Sequence, residues 1–231
     1  MSEKDDVKAF LMSIADGARA TPGVLCGSLR GFRGGYSRSA YFDFDQYIRD
    51  PGHMVKATQY YVLILSYLVS KRGLDLLAFV KKNDMDDTNT LGVIPLIGLI
   101  CSDPSLRLPH VVVRLDRLLP HDRIKLDTAR GRSRALEGRL VAVITDHVSR
   151  GEELYQAIVA LKQYGAEVTD AVTFSVWKDL FDDSYGPKIA NLGTQFHYLH
   201  ELKEKEAEGK SFAELVPNRE EIDRIADSVP A

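Results

Sequence analysis

The sequence predicts an α/β fold in which a parallel β-sheet is flanked by helices. An apolar run at 140–144 is rich in β-branched residues and has the length of a buried strand. An amphipathic helix follows, and its apolar stripe consists of Leu154, Ile158 and Leu161. Gly165 stands where this helix ends, and a second strand is predicted at 168–177. Strand, helix and strand in this order form a βαβ unit, whose strands lie parallel in the sheet.

The turn between the first strand and the helix predicts a site for an anion. It contains Asp146 and Gly151 and leads directly into the helix. The first N–H groups of a helix lack partners within it and point outwards, and ligands of parallel sheets bind at the carboxyl ends of the strands. Ser149 and Glu152 have the S-x-x-E spacing of a capping box. A self-capped structural helix with no ligand is therefore the alternative interpretation.

The elements outside this unit follow from the same periodicities. Those before it are a helix at 6–18, short strands at 24–25 and 40–44, a long helix at 54–71, and strands at 74–80 and 108–114. The apolar face of the long helix includes Val55, and Gly73 ends that helix. Those after it are an acidic loop at 179–185, a strand at 194–199 and a charged helix from His200. The polar segment from Gly209 contains a short helix at 219–227, and we expect this segment to be an added arm or partly disordered.

Length and composition describe one well-sized domain, or one domain with an added edge. The chain has 231 residues, of which 45% are hydrophobic, enough for a full core. A net charge of −3 with mixed signs gives no argument for nucleic acid or a membrane surface. Cys26 and Cys101 lie far apart in apolar surroundings, which favours buried thiols in a reducing compartment. Without a signal peptide or an apolar run of membrane-spanning length, we expect a cytoplasmic protein.

Two charged clusters have a simpler explanation than a binding site. Asp84, Asp86 and Asp87 lie close enough for a cation, but their spacing is not that of an EF-hand loop. The stretch 129–139 contains four arginines, which can contact phosphate or a nucleic-acid backbone. It has no interleaved aromatic residues, and the chain is not basic overall. Solvated loops are the default for both clusters, no metal site is assigned, and nucleic-acid binding is the weakest hypothesis.

The turn after the first strand resembles the phosphoribosyl-diphosphate loop of type I phosphoribosyltransferases. In that family two acidic residues precede a turn rich in threonine and glycine, and a helix follows. Asp146 matches the second acid, whereas Thr145 stands at the first. The turn positions are occupied by Ser149, Arg150, Gly151, Glu152 and Glu153. The resemblance implies that Asp146 holds the ribose hydroxyls and that the turn holds the 5′-phosphate of phosphoribosyl diphosphate.

Further segments are most similar to orotate phosphoribosyltransferases. Ser39, Tyr41 and Phe42 match the end of the hood, the N-terminal segment that contacts the base in that family. The sequence VIPLIG from Val93 resembles a family helix start, and NLGTQFHYLHEL resembles the C-terminal end. The resemblance implies a phosphoribosyltransferase-like parallel sheet with a small N-terminal hood. The implied division is a helix and hood at 1–50, an α/β core at 51–205 and a polar extension at 206–231.

The segment after the strand at 108–114 corresponds to the family's flexible loop, which covers the partner subunit's site and stabilises the leaving diphosphate. Arg114 and His121 match this loop in residue type, and leucines stand at its lysine positions. Arg117 and Arg123 restore positive charge at a different spacing. The resemblance implies that these four residues contact the diphosphate, that Mg²⁺ is the cofactor and that the chain forms a homodimer.

Two functions follow from the sequence. The first is an orotate phosphoribosyltransferase-like enzyme, which transfers a phosphoribosyl group between phosphoribosyl diphosphate and a nucleobase in pyrimidine nucleotide synthesis or salvage. In it, Asp146, His121, Arg117 and Arg123 are the catalytic candidates. The second is a catalytically impaired regulator on the same fold, which senses a nucleotide or binds a partner. Arginines near each missing lysine favour the first, and the missing lysines and acid favour the second.

Overall fold

The computed structural model describes residues 3–22, 24–26, 29–30, 37–38, 41–83, 93–116, 124–127, 136–208 and 210–228. The helices in these ranges are α1 (Glu3–Ala20), α2 (Phe44–Ile48), α3 (Pro51–Arg72), α4 (Val93–Ser102), α5 (Glu152–Gln163), α6 (Lys178–Asp182), α7 (Gly186–Asn191) and α8 (Arg219–Asp227). The strands are β1 (Leu25–Cys26), β2 (Leu29–Arg30), β3 (Ser37–Arg38), β4 (Tyr41–Phe42), β5 (Leu76–Asn83), β6 (His110–Asp116), β7 (Ile124–Asp127), β8 (Leu140–Ile144), β9 (His147–Val148), β10 (Glu167–Trp177), β11 (Gln195–Ala207) and β12 (Lys210–Pro217). No described helix is long and apolar enough to cross a membrane.

The centre of the fold is an eight-stranded, mostly parallel sheet. Its order is β12-β11-β10-β8-β5-β6-β7, and the short β9 also pairs with β10. The strands from β11 to β6 run parallel, and β12 and β7 pair antiparallel at the two edges. The predicted βαβ unit is confirmed as β8, α5 and β10. The carboxyl ends of β5, β8 and β10 therefore meet at one edge, where the turn after β8 lies.

Two hydrophobic cores cover the two faces of this sheet. One core contains residues of α1, α3, α4 and α8, such as Ile14, Leu65 and Ile225. The other contains the predicted stripe of α5, namely Leu154, Ile158 and Leu161, together with Phe181 and Ile189. The predicted α/β class with helices on both faces is confirmed. This layering explains why β8 is apolar along its whole length rather than alternating.

Local signals set the limits of the long helix α3. The Asp50 carboxylate accepts hydrogen bonds from the backbone N–H groups of Gly52 and His53, and Pro51 occupies the first turn. Gly73 ends the helix in the left-handed region with a φ of 69°. The assignment of Val55 to the apolar face is wrong, because 52% of this residue is exposed.

The C-terminal part differs most from the sequence prediction. The charged helix from His200 is wrong, because β11 continues to Ala207 and forms an antiparallel hairpin with β12. The helix at 219–227 is confirmed as α8, and its Ile222 and Ile225 are buried in the core. Because α8 packs into the core, it is not part of an added or disordered arm. The predicted acidic loop after β10 contains the short helix α6.

One N-terminal prediction also needs correction. Phe44 does not extend the hood strand, because the Asp43 carboxylate accepts from Gln46 N–H at 2.9 Å and begins helix α2. The predicted flexible loop contains strand β7, antiparallel to β6. The aspartate cluster at 84–87 and most of the arginine-rich stretch lie outside the described residues. The division into three segments stays a prediction.

Candidate functional site

The turn after β8 is held by the neighbouring strand and by α3. Thr145 N–H donates to the Val172 carbonyl at 3.0 Å, and Phe174 N–H donates to the Asp146 carbonyl at 3.0 Å. From α3, the Tyr61 hydroxyl donates to the Thr145 carbonyl at 2.8 Å. Burial raises the pKa of Tyr61 well above its ordinary value, so this hydroxyl stays neutral. The backbone of the turn is therefore fixed before any ligand binds.

Helix α5 begins without a side-chain cap. Its N-cap is Gly151, which has a φ of 85° and gives no side-chain hydrogen bond. The predicted capping box is wrong, because Ser149 lies two residues before this N-cap and its hydroxyl is 3.4 Å from Nε2 of His147. Consequently no serine oxygen occupies the helix N-terminus. The helix dipole there still favours an anion, and Glu152 and Glu153 are the acidic groups in its first turn.

Gly151 is required by both its conformation and its surroundings. A Cβ at this position would lie 2.8 Å from the Phe181 ring, and a φ of 85° is strained for other residues. Phe181 belongs to α6, so this helix packs directly against the turn at Gly151. The next loop adds two hydrogen bonds, from Arg150 Nε to Ser184 Oγ at 3.2 Å and from Tyr185 N–H to the Arg150 carbonyl at 3.3 Å.

Asp146 lies at the carboxyl end of the central strand and is partly exposed. One carboxylate oxygen accepts from its own neighbour, His147 N–H, at 2.7 Å, and from the Thr145 hydroxyl at 3.2 Å. The residue at the position of the family's first acid thus donates a hydrogen bond to the second acid. This geometry holds one carboxylate, with an adjacent hydroxyl, where the family has two acids.

Sequence reasoning did not assign Asp45, a second carboxylate that lies within electrostatic range of Asp146. Burial, and to a lesser extent the charges of Asp146 and Asp43, raise the pKa of Asp45 to about 6 against the opposing charge of Arg49. One oxygen of Asp45 is buried without a hydrogen-bond partner among the described residues. Asp45 is on α2, which follows the hood directly. The only sequence signal was its place in the segment SAYFDFD.

The described part of the hood packs against the sheet beside the turn. Phe42 is 2% exposed, and its ring stacks on Phe174 with 5.7 Å between centroids. It also lies 6.3 Å from the ring of His147. In this conformation the Phe42 ring is buried beside His147 and does not offer an exposed surface on which a base could stack. Sequence reasoning did not assign His147, since nothing local in the sequence brings the hood and the turn together.

The remaining predicted residues are only partly described. Arg114 lies on β6, and strand register places it beside Lys81 of β5 and Lys125 of β7. Tyr41 lies on β4, paired with Cys26. The other four predicted residues lie outside the described ranges, namely Ser39, Arg117, His121 and Arg123. Their roles stay predictions.

The fold is that of type I phosphoribosyltransferases. It is similar to a solved adenine phosphoribosyltransferase with a TM-score of 0.55 and 16% identity, over 80% of this chain and 98% of the other. An orotate phosphoribosyltransferase from Aeropyrum pernix matches with a TM-score of 0.53 and 17% identity, over 82% of this chain and 93% of the other. The orotate phosphoribosyltransferase of Mycobacterium tuberculosis matches with a TM-score of 0.54 and 16% identity, over 82% of this chain and 94% of the other.

These likenesses confirm the predicted fold, including the order of its elements over most of the chain. No protein-family model matches the sequence, and no curated protein sequence matches it. The solved structures divide between adenine and orotate enzymes at similar TM-scores. The fold therefore does not select a base, and function has to be argued from the site.

Proposed function

We propose that this protein binds phosphoribosyl diphosphate at the turn after β8 and transfers its phosphoribosyl group to or from a nucleobase. The observation that carries the proposal is the start of α5 at Gly151 with no side-chain cap, next to Asp146. Phosphate binds at helix N-termini because backbone N–H groups and the helix dipole both favour negative charge. The Asp146 carboxylate, directly after β8, would accept hydrogen bonds from the ribose hydroxyls.

A row of basic residues supports a role in holding the diphosphate. Lys81, Arg114 and Lys125 are neighbours across three strands near the carboxyl ends of β5 and β6. Departure of a diphosphate builds negative charge, and preorganised cations lower the barrier by stabilising that charge. Arg117, His121 and Arg123 follow β6 in the sequence and are proposed to add to this field. The family's lysines would then be replaced from neighbouring strands.

Mg²⁺ is part of the proposal as a companion of the diphosphate. The described residues contain no group of three or more histidine, cysteine or carboxylate side chains that could hold a metal. Mg²⁺ commonly binds through one or two carboxylates together with substrate phosphates, so Asp146 and Asp45 fit that donor set. When bound, the ion would supply charge neutralisation for the diphosphate.

Orotate is the proposed base because the hood segment is similar to that of orotate phosphoribosyltransferases. Adenine is the alternative, because adenine phosphoribosyltransferases are among the structurally similar enzymes.

We also propose that the protein is a cytoplasmic homodimer. Leu99 on α4 is 41% exposed within a strongly apolar helix, a surface that a second copy would cover. Light scattering of the purified chain would test the dimer.

Two observations favour the second candidate, a nucleotide-binding regulator without turnover. Thr145 replaces the first acid and donates its hydroxyl to Asp146 rather than offering a second carboxylate. Glu152 and Glu153 also oppose a phosphate in the first turn of α5. Such a site would retain weak affinity for a phosphorylated ribose and lose the arrangement for transfer.

Calorimetric titration with phosphoribosyl diphosphate and Mg²⁺ tests the proposal, followed by a turnover assay with orotate and adenine. Binding that Asp146→Asn weakens at least tenfold, together with nucleotide formation, supports the enzyme. The control is Asp179→Asn, a change at an exposed position on α6. Binding without turnover for any base selects the regulator. No binding at millimolar ligand contradicts both candidates.

A further inference from the structure

The central sheet ends in a strand whose outer edge has no partner among the described residues. β12 is the last strand in the order of the sheet and pairs only with β11. Every residue from Lys203 to Glu208 is exposed, so the tip of the β11–β12 hairpin extends beyond the helices that cover the sheet. Phe212, on the edge strand itself, is 44% exposed. An open edge of this kind is a template for pairing with another strand.

The backbone of β12 alternates between groups that bond to β11 and groups that face outwards. At the end of the strand, the Asn218 N–H donates to the Leu199 carbonyl of β11 at 2.8 Å. The even-numbered residues of β12 therefore bond inwards, and Ser211 and Ala213 present their N–H and C=O groups at the open edge. Pro217 has the same outward orientation but no N–H to donate, so it ends the edge that a second strand can use.

The side chains on one face of this edge are complementary to themselves. Ala213 and Leu215 pack against the core that contains α1 and α8. The alternating residues Lys210, Phe212 and Glu214 therefore lie on the opposite face. If a second β12 lies antiparallel with a two-fold axis at Phe212, Lys210 of each copy is opposite Glu214 of the other. An axis at Lys210 or Glu214 would place like charges together, and an axis at either neighbour of Phe212 would pair no opposite charges.

We propose that β12 is a docking surface for a second copy of this chain, which adds its own β12 in antiparallel orientation about a two-fold axis at Phe212. Ser211 of each copy exchanges two backbone hydrogen bonds with Ala213 of the other, which gives four bonds in all. The two phenylalanine rings cover each other, and an ion pair between Lys210 and Glu214 closes each end. Every contact occurs twice because the interface is isologous.

The charges at this edge leave room for the second copy. Lys210 is exposed and has no ion pair within the described part of the chain. Glu214 contacts Lys205 and lies 3.4 Å from the Arg19 guanidinium of α1, yet its side chain is still 28% exposed. A carboxylate has about four lone-pair positions, so it can accept from a further ammonium group.

This surface is separate from α4 and needs no ligand. β12 forms one edge of the sheet, whereas α4 lies between β5 and β6 in the chain and packs on α3. The inference therefore does not depend on the proposed function. The pairing covers only residues 210–214 of each strand, and small interfaces bind transiently, so we expect association at micromolar rather than nanomolar protein concentrations.

Sedimentation velocity over a range of protein concentrations measures the dimer dissociation constant. All proteins in this series carry Leu99→Asp, which removes the exposed leucine of α4 from the comparison. Lys210→Glu places a glutamate opposite Glu214 of the second copy, and the two-fold axis repeats this repulsion, so the dissociation constant should rise at least about tenfold. Glu214→Lys should weaken the dimer similarly by placing lysines opposite each other. An equimolar mixture of the two variants pairs acids with lysines at both ends and should recover the dissociation constant of the Leu99→Asp parent within about threefold.

Cross-linking tests the register. In the proposed pairing the two Phe212 residues form a non-hydrogen-bonded pair with Cβ atoms about 4.5–5.5 Å apart, so Phe212→Cys should form an intermolecular disulfide under mild oxidation. Lys205→Cys is the matched control, because Lys205 lies opposite Phe212 on β11 and faces the same side. Its two copies would be three strand spacings apart, roughly 14 Å, which is too far for a disulfide. The parent, which keeps Cys26 and Cys101, gives the background of cross-linking.

Three results would overturn the inference. If the parent remains a monomer up to millimolar concentration, β12 does not associate. If the parent dimerises and Lys210→Glu leaves the dissociation constant within about twofold, the second copy docks elsewhere. If the mixture of single variants does not pair, or if Phe212→Cys cross-links no more than Lys205→Cys, the two-fold register is wrong. Melting curves show that each variant retains the fold.

Discussion

Replacing His200 with glutamine should remove much of the acid sensitivity of the fold. His200 is completely buried on β11, with Nε2 3.2 Å from the Ala15 carbonyl of α1 and its ring 5.0 Å from Phe174. Burial lowers the pKa of His200 to about 4 from an ordinary value of 6.5. Hydrogen bonding to the backbone opposes this shift but does not overcome it.

The sign of the pH effect follows from proton counting. In the unfolded chain His200 takes up a proton as the pH falls through 6.5, whereas in the folded chain it stays neutral until about pH 4. The unfolded state therefore binds more protons between these values, and stability falls as the pH falls. Above pH 6.5 both states are neutral at this residue, so its contribution is constant.

The magnitude follows from the width of this window. A difference of about 2.5 pH units between 6.5 and 4, at about 1.4 kcal/mol per unit, corresponds to a loss of roughly 3 kcal/mol by pH 4. This is a large share of the roughly 5–15 kcal/mol that stabilises a typical domain. Burial also lowers the pKa of His197, against an opposing hydrogen bond to the Asp170 carboxylate, so the wild type has more than one such group.

Urea unfolding of the wild type and His200→Gln at several pH values between 4 and 7.5 gives the comparison. We expect the wild type to lose about 3 kcal/mol more than the variant over this range, because glutamine cannot take up the proton. His110→Gln is the matched control, since His110 is exposed at the start of β6. Parallel stability curves for the wild type and His200→Gln would refute the reasoning, whatever their offset at neutral pH.

Three further changes test the sheet core and the turn. Asp170→Asn removes a buried charge that lies 2.8 Å from the buried His197 and 3.0 Å from the exposed Arg72, and should cost about 3 kcal/mol in urea unfolding. Asp223→Asn, which breaks an exposed pair with Lys8, is the control and should change stability by less than about 1 kcal/mol. Gly151→Ala should lower stability by about 2 kcal/mol and abolish ribose 5-phosphate binding, because its Cβ would collide with Phe181; a thermal melt unchanged from wild type would contradict this. Glu152→Gln should tighten ribose 5-phosphate binding about two- to fivefold by removing an acid from the first turn of α5, and equal or weaker binding would show that the phosphate lies elsewhere.

Local sequence patterns predicted the parts of the fold whose signals are local. The strand β8, the stripe of α5 and the helix α8 each carry a periodicity or a length that only one element satisfies. The extension of β11 was missed because the run from Glu201 to Ala207 is rich in residues that favour helices. There the pairing with β12 decides the structure, and an antiparallel partner cannot be read from the strand itself.

The candidate site was predictable only in part for the same reason. Asp146 and Gly151 were identified because strand, turn and helix follow one another in the sequence. Asp45 on α2 and Ser175 on β10 come from other elements, and only tertiary packing places them within electrostatic range of Asp146 and within 2.9 Å of His147, respectively. The capping box failed because its spacing is necessary for the motif but does not fix where a helix begins. The left-handed conformation of Gly151 starts α5 two residues after Ser149.

The differences between this turn and the family pattern are best understood together as a redistribution of charge. The family turn is rich in threonine and glycine and carries no charge of its own. Here Arg150 contributes +1, and Asp146, Glu152 and Glu153 contribute −3, so the segment from Asp146 to Glu153 has a charge of −2 with His147 neutral. Two of these acids lie in the first turn of α5, where they offset the helix dipole that favours an anion. The acidic substitutions therefore weaken anion binding at this helix, and removing one of them should strengthen it.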